Sequence, residues 1–436
     1  MDETSTIKAP HPQNGDRPSH ENRLRPDSSS GAAEVGREGR EKGRVGPGRS
    51  RRLLKVLRLL AGTAILAAIL AAAGAAWLVW RMRASLPRLQ GEVEVFGLQG
   101  SVRILRDDLG IPTLKAAGLE DLAYATGFVH AQDRFFQMDL QRRVAAGELA
   151  ELVGSLGLRL DRRVRIHRLR ARAREMVAAL PTFQRHVLQA YARGVAAGRH
   201  SLGAPPPEYL LLRARPVPWK SEDSLLVILS MFLDLQDASG WYESRMGLMH
   251  DLLPPSLFRF LTPQGTEWDA PVQGKALSLP QIPPADEVDI RTMEPWRILR
   301  SKVSSGLIPG LRVGGVGTGG RPHLGATVFQ ADPSFMAGSN NWAVAAAHTA
   351  AGGALLANDM HLALRLPNTW YRARLIWRPA GAAEDAQVTR ATLPGVPGVV
   401  VGSNGHVAWG FTNSYADWSD LVVIQLDPDH PDSYLT

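Results

Sequence analysis

Residues 59–80, LLAGTAILAAILAAAGAAWLVW, run for 22 positions without a charge. As a helix rising 1.5 Å per residue the run spans roughly 33 Å, enough to cross the hydrocarbon core of a bilayer. Lipid supplies no hydrogen bonds to a backbone, so a spanning segment of this kind has to be helical. Nine Lys/Arg lie in residues 37–58, whereas Arg81, Arg83 and Arg88 follow on the other side. The positive-inside rule then puts residues 1–58 in the cytoplasm and the body on the extracytoplasmic side, periplasmic or extracellular. Trp77 and Trp80 suit an interfacial belt at the far end. Two rival readings stay open. One is a buried core helix. The other is a cleaved signal peptide, for which the small residues of 71–76 offer a cut site and the body is exported.

Charge divides along the same line. The formal net charge is +8. Residues 1–58 hold 13 Lys/Arg against 8 Asp/Glu, residues 59–88 add three arginines, and the remaining 348 residues hold 34 of each sign. A nucleic-acid-binding body needs a basic face of its own, so a neutral body argues against nucleic acid as a partner. The chain has no cysteine, which excludes disulfides, thiolate metal sites and a cysteine nucleophile.

Residues 1–50 are rich in Pro, Gly, Ser and charge and poor in apolar side chains. They bury too little to offset ordering entropy, which predicts disorder and, for 1–58 as a whole, a basic cytoplasmic tail. Residues 95–117 alternate as two short strands with a turn at Asp107–Gly110. Helical periodicity covers 119–154, with Leu122, Phe128, Phe135, Met138 and Leu149 on one repeating pattern and Gly154 as a C-cap. Further helical stretches cover 159–198 and 220–251. Residues 252–338 are Pro/Gly-rich and weakly periodic, the texture of a linker or functional loop. From residue 339 extended segments follow at 341–346, 354–357, 369–377, 387–393, 396–402, 407–412 and 421–426. Helices first and strands afterwards predict an α+β fold rather than a doubly wound sheet.

Gly315, Gly317 and Gly320 match the GxGxxG spacing, but no strand leads in and Arg321 and Pro322 follow. The dinucleotide reading needs both contexts, so no organic cofactor is expected. The chain contains no GxSxG, HExxH or Walker A pattern, which removes the usual forms of those three chemistries. At 336–342, MAGSNNW, the Gly/Pro-rich stretch meets the strand-rich part. Ser339 has no evident His/Asp partners. A serine freed as a new N-terminus, however, carries its own base, an α-amine with an ordinary pKa of about 8. Gly338 leaves the backbone uncrowded for the N→O acyl shift that cuts the chain. A Ser-Asn turn before a strand reads equally well from these residues alone.

Three blocks carry a resemblance. GSNNWAVAAAHTAAGGALLANDMHLALRLPNTWYRARL from Gly338 looks like the start of the catalytic chain of penicillin acylases, which are N-terminal-nucleophile hydrolases. GVPGVVVGSNGHVAWGFTNSYADWSDL from Gly395 looks like the segment after it. VRILRDDLGIPTLKAAGLEDLAYATGFVHAQDRFFQMDLQRRVAAGELAELVG from Val102 is similar to the opening of the family's small chain.

The resemblance implies a four-layer αββα N-terminal-nucleophile fold, incomplete here, with a helical small chain, to which the apolar run adds an N-terminal transmembrane helix. After the tail at 1–58 and the anchor at 59–80 read from composition, it implies a small chain at 90–284, a spacer at 285–338 and the front of the catalytic chain at 339–436. Self-cleavage falls at Gly338–Ser339, leaving the two chains as a heterodimer. Ser339 is the nucleophile, with its amine as base. His361 orients that amine; the same place holds Gln in phenylacetyl-type members, so a penicillin G preference is in doubt. Asn413 gives a backbone oxyanion donor, a role compatible with a plain turn after a strand. Glu243, Asp417, the Ser419 carbonyl and Asp420 match ligands of a structural Ca²⁺. Each acid alone reads equally as a solvated surface residue. Phe135 and Phe136 are candidate lining for an apolar acyl pocket, or core.

The implied activity is hydrolysis of linear amides in small N-acyl compounds such as penicillins, cephalosporins or acyl-homoserine lactones. An inactive, uncleaved, membrane-tethered relative acting as a binding or scaffold protein is the alternative. A metal-dependent amidase is a third class, separated by immediate sensitivity to chelators. The family's precursors are longer and its second oxyanion donor lies further downstream, so the chain is expected to be a fragment.

Overall fold

The computed structural model describes residues 3–8, 48–289 and 338–430, apart from positions 238, 239, 270, 272, 363, 414–417, 419, 423, 425 and 426. Most of the expected spacer thus lies outside the described residues. In chain order the elements are β1 (Glu3–Lys8), α1 (Gly48–Ala84), β2 (Gly91–Glu94), β3 (Val102–Arg106), β4 (Pro112–Ala116) and α2 (Leu119–Ala146). Next come α3 (Ala150–Val153), α4 (Leu158–Arg165), α5 (Leu169–Ala179), α6 (Thr182–His200), α7 (Pro207–Leu211), α8 (Ser221–Leu235), α9 (Trp241–Leu252) and α10 (Pro255–Leu261). The strands β5 (Gly338–Val344), β6 (Leu355–His361), β7 (Tyr371–Trp377), β8 (Ala386–Thr392), β9 (Val401–Ser403) and β10 (Ala408–Trp409) close the order. The fold is α+β, as expected. Among the described residues the strands make one eight-stranded and one two-stranded sheet, and a four-layer sandwich is not among them.

The chain divides into two compact units, the first of residues 1–142, 171–225 and 366–409, the second of 143–170, 226–365 and 410–436. In the first, the sheet runs β10-β9-β8-β7-β4-β3-β1-β2. The β3–β4 turn forms where expected. The Asp107 carboxylate accepts from Leu109 N (3.0 Å) and Ile111 N (2.8 Å), and Gly110 takes the positive φ of 75° that the turn requires. Val102, Ile104 and Arg106 are buried, so β3 turns one face to the core. Helices α2 and α6 approach closely because both carry glycine at the contact. A Cβ on Gly194 would lie 1.9 Å from the Tyr124 carbonyl oxygen, and one on Gly198 2.2 Å from that of Phe128.

Most buried polar groups described in this unit are partnered, as burial favours, though Gln141 Oε1 and Glu208 Oε2 are buried without a hydrogen bond. Arg106 donates to both Asp133 oxygens (2.8 and 3.1 Å), and the Tyr371 hydroxyl donates to the same carboxylate (2.6 Å). Burial holds the Tyr371 phenol well above its ordinary pKa, with the adjacent Asp133 charge adding to the effect. His130, fully buried, lies between the Tyr191 hydroxyl (2.8 Å) and Thr392 Oγ1 (3.1 Å). Arg142 is bonded to Asp139, Asp223 and the carbonyls of Val217 and Pro218. Phe135 and Phe136 pack on Tyr209, with ring centroids 6.3 and 5.4 Å away, and Phe135 is buried in the core of this unit.

Several expectations are corrected. Residues 3–8 are not disordered. Ser5 and Ile7 are buried, and β1 pairs antiparallel with β3 and parallel with β2. The low apolar content of residues 1–50 hid a hexapeptide whose alternation suffices for one strand. The helix α1 carries, within Leu57–Ala84, an 18-residue window of mean hydropathy 2.2 that is not buried, which meets the length and composition for a span. A single span would place β1 and β3 on opposite sides of a membrane, so β1 pairing and a spanning α1 with a cytoplasmic tail are alternative states. The periodic stretches also break where backbone chemistry dictates: at Gly147 (φ 67°), Arg168 (φ 53°), Pro181 and Gly240 (φ 64°). α10 lies inside the stretch expected to lack structure. Leu421, Val422 and Ile424 are not in a strand.

Candidate active site

Ser339 is the second residue of β5, in the second unit. β5 and β6 form an antiparallel hairpin in which Gly338 faces His361 and Ser339 faces Met360. The connection is closed by Thr349, whose hydroxyl lies 3.0 Å from the Ala346 carbonyl and 2.7 Å from that of Gly353. Strand side chains alternate between faces and cross-strand partners share one. Ser339 and His361 therefore point to opposite faces of the hairpin.

On the Ser339 face, the backbone N–H of Asn413 donates to Ser339 Oγ at 2.8 Å. The sequence-predicted nucleophile and oxyanion donor, 74 residues apart, are thus brought together. Residues 411–413 are held beside the hairpin by Asn358 of β6. Its Oδ1 accepts from Phe411 N (3.0 Å), and its Nδ2 donates to Phe411 O (3.0 Å) and Asn340 O (3.3 Å). The Asn413 side chain is held in turn by the end of α8. Gln236 Nε2 donates to Asn413 Oδ1 (2.9 Å), and Asn413 Nδ2 reaches the Leu235 carbonyl (3.4 Å).

On the other face, His361 Nε2 lies 3.1 Å from Asp359 Oδ2. A Cβ built on Gly338 would lie 3.8 Å from His361 Nδ1, so the imidazole stands beside the expected cleavage residue. Both side chains of the pair are solvated, at 41% and 74% exposure.

Of the expected calcium ligands, Glu243 and Asp420 are among the described residues. Glu243 is half-buried in the first turn of α9 and Asp420 is exposed; Asp417 and Ser419 lie outside the described residues. No group of three or more His, Asp or Glu poised for a metal occurs among the described residues.

Asn358 and Gln236 escaped sequence reasoning. For Asn358 a signal existed: asparagine is depleted in strand interiors, so one inside an extended run asks for a side-chain role.

The penicillin amidase family model matches residues 101–436. The chain belongs to the penicillin amidase family. Penicillin acylase 2 proenzyme of Pseudomonas sp. (strain SE83) is 34% identical over 361 residues, covering 80% of this chain and 41% of the relative. Acyl-homoserine lactone acylase QuiP of Pseudomonas aeruginosa is 32% identical, covering 80% of this chain and 37% of the relative. Among solved structures, a thermostable penicillin G acylase from Alcaligenes faecalis is 27% identical over 41% of this chain and 98% of its own, with a TM-score of 0.34. The chain spans about two fifths of the length of the curated relatives it matches. As a member of the penicillin amidase family, it carries Ser339, His361 and Asn413 inside the matched region.

Proposed function

We propose that this chain belongs to a self-cleaving amide hydrolase acting on small N-acyl compounds of the penicillin, cephalosporin or acyl-homoserine-lactone type. Membership of the family supports the reaction class. The observation that carries the site is the 2.8 Å bond from Asn413 N–H to Ser339 Oγ.

Ser339 Oγ attacks the Gly338 carbonyl carbon, the C–N bond breaks as the proton passes to nitrogen so that the amide becomes an ester with a free Ser339 amine, and water then cleaves that ester into the Gly338 carboxylate and the Ser339 hydroxyl. In the mature enzyme that amine takes the proton from Oγ, directly or through water, as Oγ attacks the substrate amide carbon. The proton passes to the leaving amine as the C–N bond breaks, and water then releases the acid from the acyl-enzyme. A backbone N–H fixed before the reaction stabilises charge developing on the carbonyl oxygen, an effect worth roughly 3–4 kcal/mol per donor in other enzymes. His361 stands one residue from the amine on the opposite face, where it orients the new terminus. The chains before and after the cut stay together as a heterodimer. A structural Ca²⁺, an anchor or signal at 59–80 and an extracytoplasmic body complete the reading.

Intact-mass measurement of the complete gene product tests it. Two fragments, one beginning at Ser339, are expected, together with hydrolysis across a panel of N-acyl substrates of graded chain length. An uncut chain that still hydrolyses amides would sink the mechanism. An uncut chain without activity returns the scaffold reading.

A further inference from the structure

We infer that Asn358 and Gln236 are positioning residues for the Asn413 N–H, a role that rests on the amide-hydrolase reading of the site.

The orientation of both amides follows from backbone groups that cannot exchange donor for acceptor. Phe411 offers one N–H and one C=O. The Asn358 oxygen has to meet the first and its nitrogen the second. The side chain thus pairs with residue 411 as a peptide of a neighbouring strand would, two residues before the oxyanion donor. Its nitrogen also reaches Asn340 O, adjacent to the nucleophile, so one amide ties both sides of the Ser339–Asn413 contact. Likewise the Leu235 carbonyl turns the Asn413 nitrogen towards itself. The Asn413 oxygen then faces Gln236, which has to present its NH₂.

No regular backbone ladder does this work. β10 ends at Trp409, and residues 410–413 are in no strand. Gly410 leaves room for Asn358: a Cβ there would lie 2.8 Å from Asn358 Oδ1. The segment bearing the donor is therefore held by two side-chain amides, one through its backbone and one through residue 413 itself. A donor used on a developing oxyanion tolerates little displacement, since errors of about 1 Å cost about a hundredfold.

The test uses the complete gene product and the variants Asn358→Asp and Gln236→Met. The first keeps the shape but puts an oxygen against the Phe411 and Asn340 carbonyls. The second keeps length and packing and loses the hydrogen bond. Each is expected to lower kcat by about 10- to 100-fold with KM within about threefold, because the donor acts on the transition state. The pH profile keeps its acid limb, since the α-amine is untouched. In an Asn413→Pro background, which has no N–H at 413, Asn358→Asp is expected to cost nothing further in kcat. Variants that match wild-type kcat, or that lose the same factor in the proline background, overturn the positioning role while the hydrolase reading stands. A wild-type product that neither frees Ser339 nor hydrolyses amides overturns both. Melting temperature and extent of self-cleavage, read on each variant, separate a misfolded sample from a mispositioned donor.

Discussion

The sheet of the first unit and the hairpin of the second are built from the same kind of alternating strand, yet they are held in different ways. β3 buries Val102, Ile104 and Arg106, and β7 buries Tyr371, Ala373 and Leu375. β5 buries no residue fully, and Trp342 within it is 56% exposed. In the first unit Arg142, Asp139 and Asp223, like His130, Tyr191 and Thr392, are sealed in the core and bonded to one another. In the second, the proposed nucleophile Ser339 sits on strands ordered by hairpin hydrogen bonds and two amide side chains. An isolated two-stranded hairpin is marginal in water, so small groups at the site have large leverage on its geometry. The first unit reads as a frame and the second as a working surface, and mutations separate the two.

The largest effect is expected for Ser339→Ala, which abolishes self-cleavage and lowers hydrolysis by at least about a thousandfold. Urea unfolding of the variant should match that of an uncut wild-type sample, because Ser339 bears on no core. In the frame, Arg142→Ala leaves the buried Asp139 and Asp223 uncompensated and should cost about 3–5 kcal/mol in the same unfolding measurement. Gly194→Ala forces two helices apart and should cost about 1–3 kcal/mol or more.

pH sharpens the contrast. Burial pushes the Tyr124 phenol up to about 12, with Arg193 pulling the other way. A folded pKa raised above the unfolded value near 10 means full stability below pH 10 and progressive loss towards pH 12. Tyr124→Phe should flatten that decline in pH-dependent melts. Activity, by contrast, should rise through about pH 7–8 as the Ser339 amine loses its proton. A flat activity profile there would point to a different base. The smallest effect belongs to Lys115→Ala. Its exposed pair with Asp385 at 2.8 Å is screened by salt, so no shift in melting is expected at physiological ionic strength.

Sequence alone settled what depends on local chemistry and spacing. The apolar run of 59–80 is helical, Asp107–Gly110 turns, Gly154 caps a helix, and strands follow residue 338. Ser339, His361 and Asn413 were legible because the blocks around them resemble a family. Other features depended on partners distant along the chain. The hexapeptide 3–8 became a strand only because β3 and β2 offer it edges 83 or more residues away. Phe135 went to the core because Tyr209 and Arg199 meet it there. His361 and Ser339 fell on opposite faces because the hairpin register pairs Ser339 with Met360. Asn358 and Gln236 acquired their place through bonds to residues 53 and 177 positions away. Local sequence fixes φ, ψ and hydrophobic period, whereas a hydrogen bond between distant side chains exists only once tertiary packing has placed both partners.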